Sequence, residues 1–161
     1  MTTNIDLPLA TPEDRLAHLG SPLPVAPSPV AIYVPAVRTG RYIYTSGQLP
    51  LVDGEMLHPG KVGDEVDLAQ AQEAARRCAL NALAAVRALL GDLSEVKRVV
   101  KVVGFVSSAT HFTNQPQVVN GASELIGDAF GAEIGAHARS AVGVAVLPLN
   151  ACVEVEIVVE I

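Results

Sequence analysis

The chain has 161 residues and a mass of 16.8 kDa; half of its residues are hydrophobic, the formal net charge is −6 and the pI is about 5.1. That size and apolar content fit one domain around a single buried core. The acidic balance, the absence of Trp and the 4% aromatic share argue against a nucleic-acid partner, which calls for clustered Lys and Arg and for aromatic stacking platforms.

In chain order, residues 1–30 stand apart from the rest as an N-terminal arm, with residues 31–161 forming an α+β domain. Thr11-Pro12-Glu13-Asp14 is a helix-start signal, with a capping hydroxyl, Pro at the first helical position and acids in the first turn. Gly20 stops that helix, and Pro22, Pro24, Pro27 and Pro29 then favour an extended segment. Arg41–Ser46 reads as a strand ending at Gly47, and Asp53-Gly54 between two apolar pairs signals a tight hairpin.

Residues 67–90 carry Leu68, Ala71, Ala75, Cys78, Ala82, Val86 and Leu89 at spacings of three or four, which predicts an amphipathic helix closed by Gly91. Asp64, Glu65 and Asp67 precede it and read as groups that offset its N-terminal dipole. Val96–Ser107 is Val-rich and predicts a long strand, with Lys97, Arg98 and Lys101 on its polar side. Val118, Val119, Ala122, Leu125, Ile126 and Phe130 give a second helix ending near Gly131. Ser140–Leu147 and Ala151–Ile161 are two further strands, read as antiparallel neighbours joined at Pro148-Leu149-Asn150. The expected architecture is two layers, a mixed sheet with two helices on one face. The apolar strands leave the other face in need of cover, for which homo-oligomerisation is the economical solution.

Cys78 and Cys152 lie in a helical and a strand pattern without metal-type spacing, and read as buried reduced thiols of an intracellular protein. No basic and apolar leader pattern opens the chain, and no apolar run is long enough to span a bilayer, so a cytoplasmic protein with no membrane partner is expected. His18, His58 and His111 are scattered and form no metal triad. Ser46 lacks a surrounding GxSxG turn and reads as a hydroxyl donor to a ligand rather than a nucleophile.

The chemistry concentrates in His137-Ala138-Arg139-Ser140-Ala141 and in Val153-Glu154-Val155-Glu156. A guanidinium at the start of a strand offers a rigid fork of donors matched to a carboxylate. Glu154, expected on the neighbouring strand, can approach the same site; a structural Arg139–Glu154 pair across two strands is the competing reading. His137, two residues before Arg139, either faces the same cleft as an acid or base or is a loop or interface histidine.

Residues 139–156 also carry a resemblance. With Ala138, they run ARSAVGVAVLPLNACVEVE and resemble the C-terminal signature of the Rid family, the YjgF-like reactive intermediate deaminases, close to ARSxVxVxxLPxxxxIEIE. Thr45-Ser46-Gly47-Gln48-Leu49-Pro50 resembles that family's TSGQxP element, Val99–Val106 its central strand, and Asn120 the Asn of its VNxxY-like segment. The resemblance implies a chorismate-mutase-like fold, a homotrimer with clefts between subunits, and a small carboxylate-bearing metabolite as partner. It implies that Arg139 holds the carboxylate of a 2-imino or 2-enamino acid, that Glu154 positions the water, that Tyr33, Ser46 and Asn120 line the cleft and that Ala141 contributes backbone groups. Neither metal nor other cofactor is implied, because an iminium carbon is already electrophilic.

Two features depart from the family pattern. Ala31-Ile32-Tyr33 stands where GPY is usual, and Ala141 where many members have Cys. The implied activity is hydrolytic deamination to a 2-oxo acid and ammonia. The alternative is a trimer that binds small carboxylates without turnover, and the ribonuclease role attached to endoribonuclease L-PSP-like members runs against the acidic, aromatic-poor composition.

Overall fold

The computed structural model describes residues 11–26, 28 and 32–161. Helix α1, Pro12–His18, begins with the expected cap: the Thr11 hydroxyl accepts the Asp14 N–H and the Asp14 carboxylate accepts the Thr11 N–H, both at 3.1 Å. Leu16 is fully buried, and Arg15 donates to the Ala129 carbonyl at 3.2 Å, which fastens the helix to the domain. Pro27 and Pro29, and the boundary expected at residue 30, lie outside the described residues.

Strands β1, Ala36–Thr39, and β2, Tyr42–Thr45, form an antiparallel pair. The first was not legible as a strand because it is short and exposed beyond Ala36. The expected hairpin joins β3, Leu51–Val52, to β4, Glu55–Met56, through Asp53 at φ 51° and Gly54 at φ 86°, the left-handed pair such a two-residue turn requires.

Helix α2, Leu68–Leu90, starts at Asp67, whose carboxylate accepts the Gln70 N–H at 2.9 Å while the Gln70 side chain accepts the Asp67 N–H at 3.0 Å. It stops at Gly91, at φ 90°. Glu65 does a different job from Asp67: its carboxylate accepts the Lys61 N–H at 3.0 Å and closes a turn. The buried face of α2 is built largely from Ala71, Ala74, Ala75, Cys78, Ala82 and Ala85. Such small side chains let α3, Gln115–Ile134, approach closely: a Cβ on Gly121 would lie 2.1 Å from the Gln72 carbonyl oxygen. Near its end α3 breaks at Gly131, where φ is 77°.

Strands β5, Arg98–Ser107, β6, Ala138–Val144, and β7, Val153–Glu160, complete a five-stranded sheet in the order β1-β2-β7-β5-β6. Only the β5–β6 pair is parallel. Helices α2 and α3 cover one face of this mixed sheet, the α+β architecture expected. One expectation fails. Strands β6 and β7 are not neighbours, because both pair with β5, which lies between them. Consecutive strands are adjacent often enough that the short 148–150 connection suggested a hairpin, yet the parallel return of β6 along β5 sends β7 to the other side.

Val153, Val155, Ile157 and Val159 of β7 are buried toward the helices, alternating with partly exposed Glu154, Glu156, Val158 and Glu160. The opposite face carries exposed Val37, Tyr42, Tyr44 and Val142 beside the half-buried Val103 and Phe105.

Candidate functional site

Arg139 is the second residue of the edge strand β6 and stands in register with Val102 of β5, which is fully buried toward the helices. Residues in register share a face, so the arginine reaches toward α3. Its Nη1 donates to Asn120 Oδ1 at 2.8 Å and to Ser123 Oγ at 3.2 Å. Asn120 and Ser123 are three residues apart and therefore lie on one side of the helix. Both acceptors are neutral, and among the described residues no ion pair includes Arg139. A partly buried guanidinium is thus held by one nitrogen while its charge goes uncompensated and its other donors lack a protein acceptor among the described residues. Such a group is suited to grip a carboxylate.

Ser123 is tied in turn to His137, with Oγ 2.9 Å from Nε2, and His137 Nδ1 lies 2.6 Å from the Gly135 carbonyl oxygen. Ala141 follows Arg139 by two positions on the same face, in register with Gly104 and packed partly into the core.

Glu154 occupies a different place from the one expected. It is in register with Phe105 of β5 and alternates with fully buried Val153 and Val155, so it projects from the face opposite the helices. Arg139 and Glu154 therefore stand two strands apart, on opposite faces, and the cross-strand pair does not form. The glutamate carboxylate lies over Gly47: a Cβ there would come 1.8 Å from Oε1. Burial pushes the Glu154 carboxyl above the ordinary carboxylate range, and neighbouring Glu156 pushes it the same way.

Gly47 adjoins Ser46, whose hydroxyl donates to the Val34 carbonyl at 2.6 Å and whose N–H donates to Pro35 at 2.8 Å. Those bonds hold the loop that carries Tyr33, which is 49% exposed. The expected cleft residues thus fall into two groups within one chain. Arg139, Asn120 and Ala141 belong to the β6–α3 side, and Glu154, Ser46 and Tyr33 to the β2–β7 side. A pocket of about 270 Å³ on the uncovered face, lined by Tyr44, Lys101, Val103, Glu156 and Val158 among others, includes neither Arg139 nor Glu154.

Sequence reasoning missed Ser123 and the approach of Gly47 to Glu154. The i, i+3 spacing from Asn120 was the available signal for Ser123. Nothing local announces the Gly47 contact, which depends on the docking of the 46–48 segment against Val155 through mutual backbone bonds from Gln48.

The family model described as Endoribonuclease L-PSP matches residues 24–161. The chain is 34% identical over 139 residues to a 2-iminobutanoate/2-iminopropanoate deaminase of Dermatophagoides farinae, covering 86% of this chain and 92% of the relative. It resembles the crystal structure of the protein Atu1372 from Agrobacterium tumefaciens, with a TM-score of 0.87 and 51% identity over 93% of this chain and 92% of the other. It also resembles E. coli TdcF with bound serine, at TM-score 0.63 and 26% identity over 84% of this chain and 93% of the other.

Proposed function

The chain belongs to the Rid family, the group that the endoribonuclease L-PSP description covers, and from that membership we propose that it hydrolyses small 2-imino or 2-enamino acids to 2-oxo acids and ammonia. The observation that carries the proposal is the guanidinium of Arg139, held by Asn120 and Ser123 with its charge uncompensated and donors to spare among the described residues. Both substrates in the name of the mite relative are 2-imino acids with a carboxylate, and the serine held by TdcF carries one too.

In this reading Arg139 fixes the substrate carboxylate, and Asn120, Ser123 and the Ala141 backbone form that wall of the site. Water adds to the C=N carbon, the nitrogen takes a proton, and the resulting carbinolamine collapses to the 2-oxo acid as ammonia leaves. Glu154 orients the water and accepts its proton, and a carboxyl raised by burial is a stronger base than an exposed one. Orienting water against a carbon that is already electrophilic accounts for the rate enhancement.

One copy cannot bring Glu154 to Arg139. The proposal therefore includes a homotrimer of chorismate-mutase-like domains, in which Glu154, Ser46 and Tyr33 of one copy face Arg139 of the next. The exposed Val37, Tyr42, Tyr44 and Val142 on the uncovered sheet face support burial of that face by further copies. A cytosolic setting goes with this reading, supported by the unbridged, buried Cys78 and Cys152.

The test is 2-oxo acid formation from freshly generated 2-iminopropanoate. Accelerated hydrolysis by the wild type, lost in Arg139→Ala, is expected; equal rates for the two proteins would sink the proposal. Binding of 2-oxobutanoate without turnover would favour the non-catalytic carboxylate trap.

A further inference from the structure

We propose that Ser123 and His137 are positioning residues that lock one nitrogen of Arg139, so that the Nε–Nη2 edge alone is presented to a ligand carboxylate. The inference deepens the deaminase reading and rests on it for the identity of the ligand.

The direction of the hydrogen bonds follows from which atoms can donate. The Gly135 carbonyl only accepts, so His137 Nδ1, 2.6 Å away, carries the hydrogen. In the neutral ring Nε2 then holds a lone pair, and the Ser123 hydroxyl 2.9 Å away donates to it. That fixes a hydroxyl rotor that is otherwise free. The Ser123 lone pairs remain for Arg139 Nη1 at 3.2 Å, and Asn120 Oδ1 takes the other Nη1 hydrogen at 2.8 Å. Both hydrogens of Nη1 are thereby engaged within the chain. Without an acceptor among the described residues are the N–H of Nε and the two of Nη2, whose parallel pair matches the two oxygens of a carboxylate approaching side-on.

The far end of the relay is rigid. Gly135 closes α3 just after the break at Gly131, and its N–H donates to the Gly131 carbonyl at 3.0 Å. A Cβ on Gly135 would stand 2.6 Å from that same oxygen, so the carbonyl to which His137 donates sits in a tightly packed turn. Holding one guanidinium nitrogen with two neutral acceptors stops the side chain from swinging while leaving its charge for the ligand.

The experiment pairs calorimetry against 2-oxobutanoate with deaminase kinetics on the full chain. Ser123→Ala should weaken 2-oxobutanoate binding and raise KM about tenfold, the scale of losing a hydrogen bond to a charged group, with kcat changed less than about twofold. Ser123→Thr, which keeps the hydroxyl, should restore both. His137→Ala should give a smaller rise in the same direction, and it carries the comparison alone if Ser123→Ala does not fold. Slow solvent exchange of the Arg139 Nη1 protons by nitrogen-edited NMR is expected in the wild type and fast exchange in Ser123→Ala. Wild-type binding with unchanged affinity in both variants would overturn the relay and leave the deaminase reading standing. A wild type that neither binds 2-oxobutanoate nor releases ammonia would overturn the deaminase reading instead, and the proton exchange would then decide the relay: fast exchange in the wild type refutes it.

Discussion

Arg139 and Glu154 project from opposite faces of one sheet, on strands β6 and β7 that β5 holds apart. A site that uses both must be assembled from two copies.

Mixing Arg139→Ala with Glu154→Gln, each severely impaired alone, should restore activity after unfolding and joint refolding. About a quarter of wild-type activity is expected from equal amounts, because a working cleft needs an intact arginine from one copy and an intact glutamate from its neighbour. Steady-state rates measured before and after mixing check this; no recovery would mean that each chain carries its own complete site.

Arg139→Lys keeps the charge and loses the planar fork. A loss of about a hundredfold in kcat/KM is expected, corresponding to the ~2.7 kcal/mol scale of withdrawn charge-assisted hydrogen bonds. Circular dichroism should be unchanged. A variant as fast as the wild type would remove the carboxylate fork from the mechanism.

Glu154→Gln should lower kcat by about a hundredfold or more, the usual range for a lost general base. The wild-type profile should rise with pH as the half-buried carboxyl ionises at a raised pKa, and the variant should lack that rise. Stability moves the other way. A carboxyl whose folded pKa lies above its unfolded value binds more protons in the native state between the two, so stability falls as pH increases through that window. The variant should therefore melt at a higher temperature than the wild type near neutral pH, and the difference should vanish in acid where both states are protonated. Calorimetric melting at pH 4 and pH 7.5 tests the sign.

Gly47→Ala places a methyl group where Glu154 Oε1 now lies, 1.8 Å from the new carbon. The carboxylate is the end of a flexible side chain, so it can move aside and the fold should melt within a few degrees of the wild type, roughly 1 kcal/mol or less. Activity should drop at least about tenfold as the water loses its oriented base. Full activity would show that Glu154 does not need its present position.

Gly121→Ala meets backbone, not a mobile side chain: the Gln72 carbonyl oxygen lies 2.1 Å from the added carbon. Helices α2 and α3 must separate, at a cost of about 2–3 kcal/mol typical of overpacking. A lowered urea midpoint with an unchanged slope would record it.

Much of this architecture was legible in the chain because its elements announce themselves locally. The three-and-four spacing from Leu68 to Leu89 and the Gly91 stop define α2, and the Val153–Glu160 alternation defines β7 with its acidic face outward. Strand order was not, since β7 finds its partners β2 and β5 through contacts distant in sequence, and the 148–150 connection looks like a hairpin from within. The same blindness separated the site. Asn120 was placed beside Arg139 by resemblance and the structure brings them to 2.8 Å, but the face on which Glu154 emerges relative to Arg139 depends on sheet order, which no motif encodes.

Strand β7 is the third of five in the sheet although it follows the other four in chain order. Until Val153–Glu160 have left the ribosome, β2 and β5 have no neighbour in common, and α2 lacks the central strand it packs on. Closure of the sheet is thus deferred until that strand has emerged. Until then the nascent polypeptide displays sticky strand edges, a window in which chaperone capture or proteolysis competes with maturation.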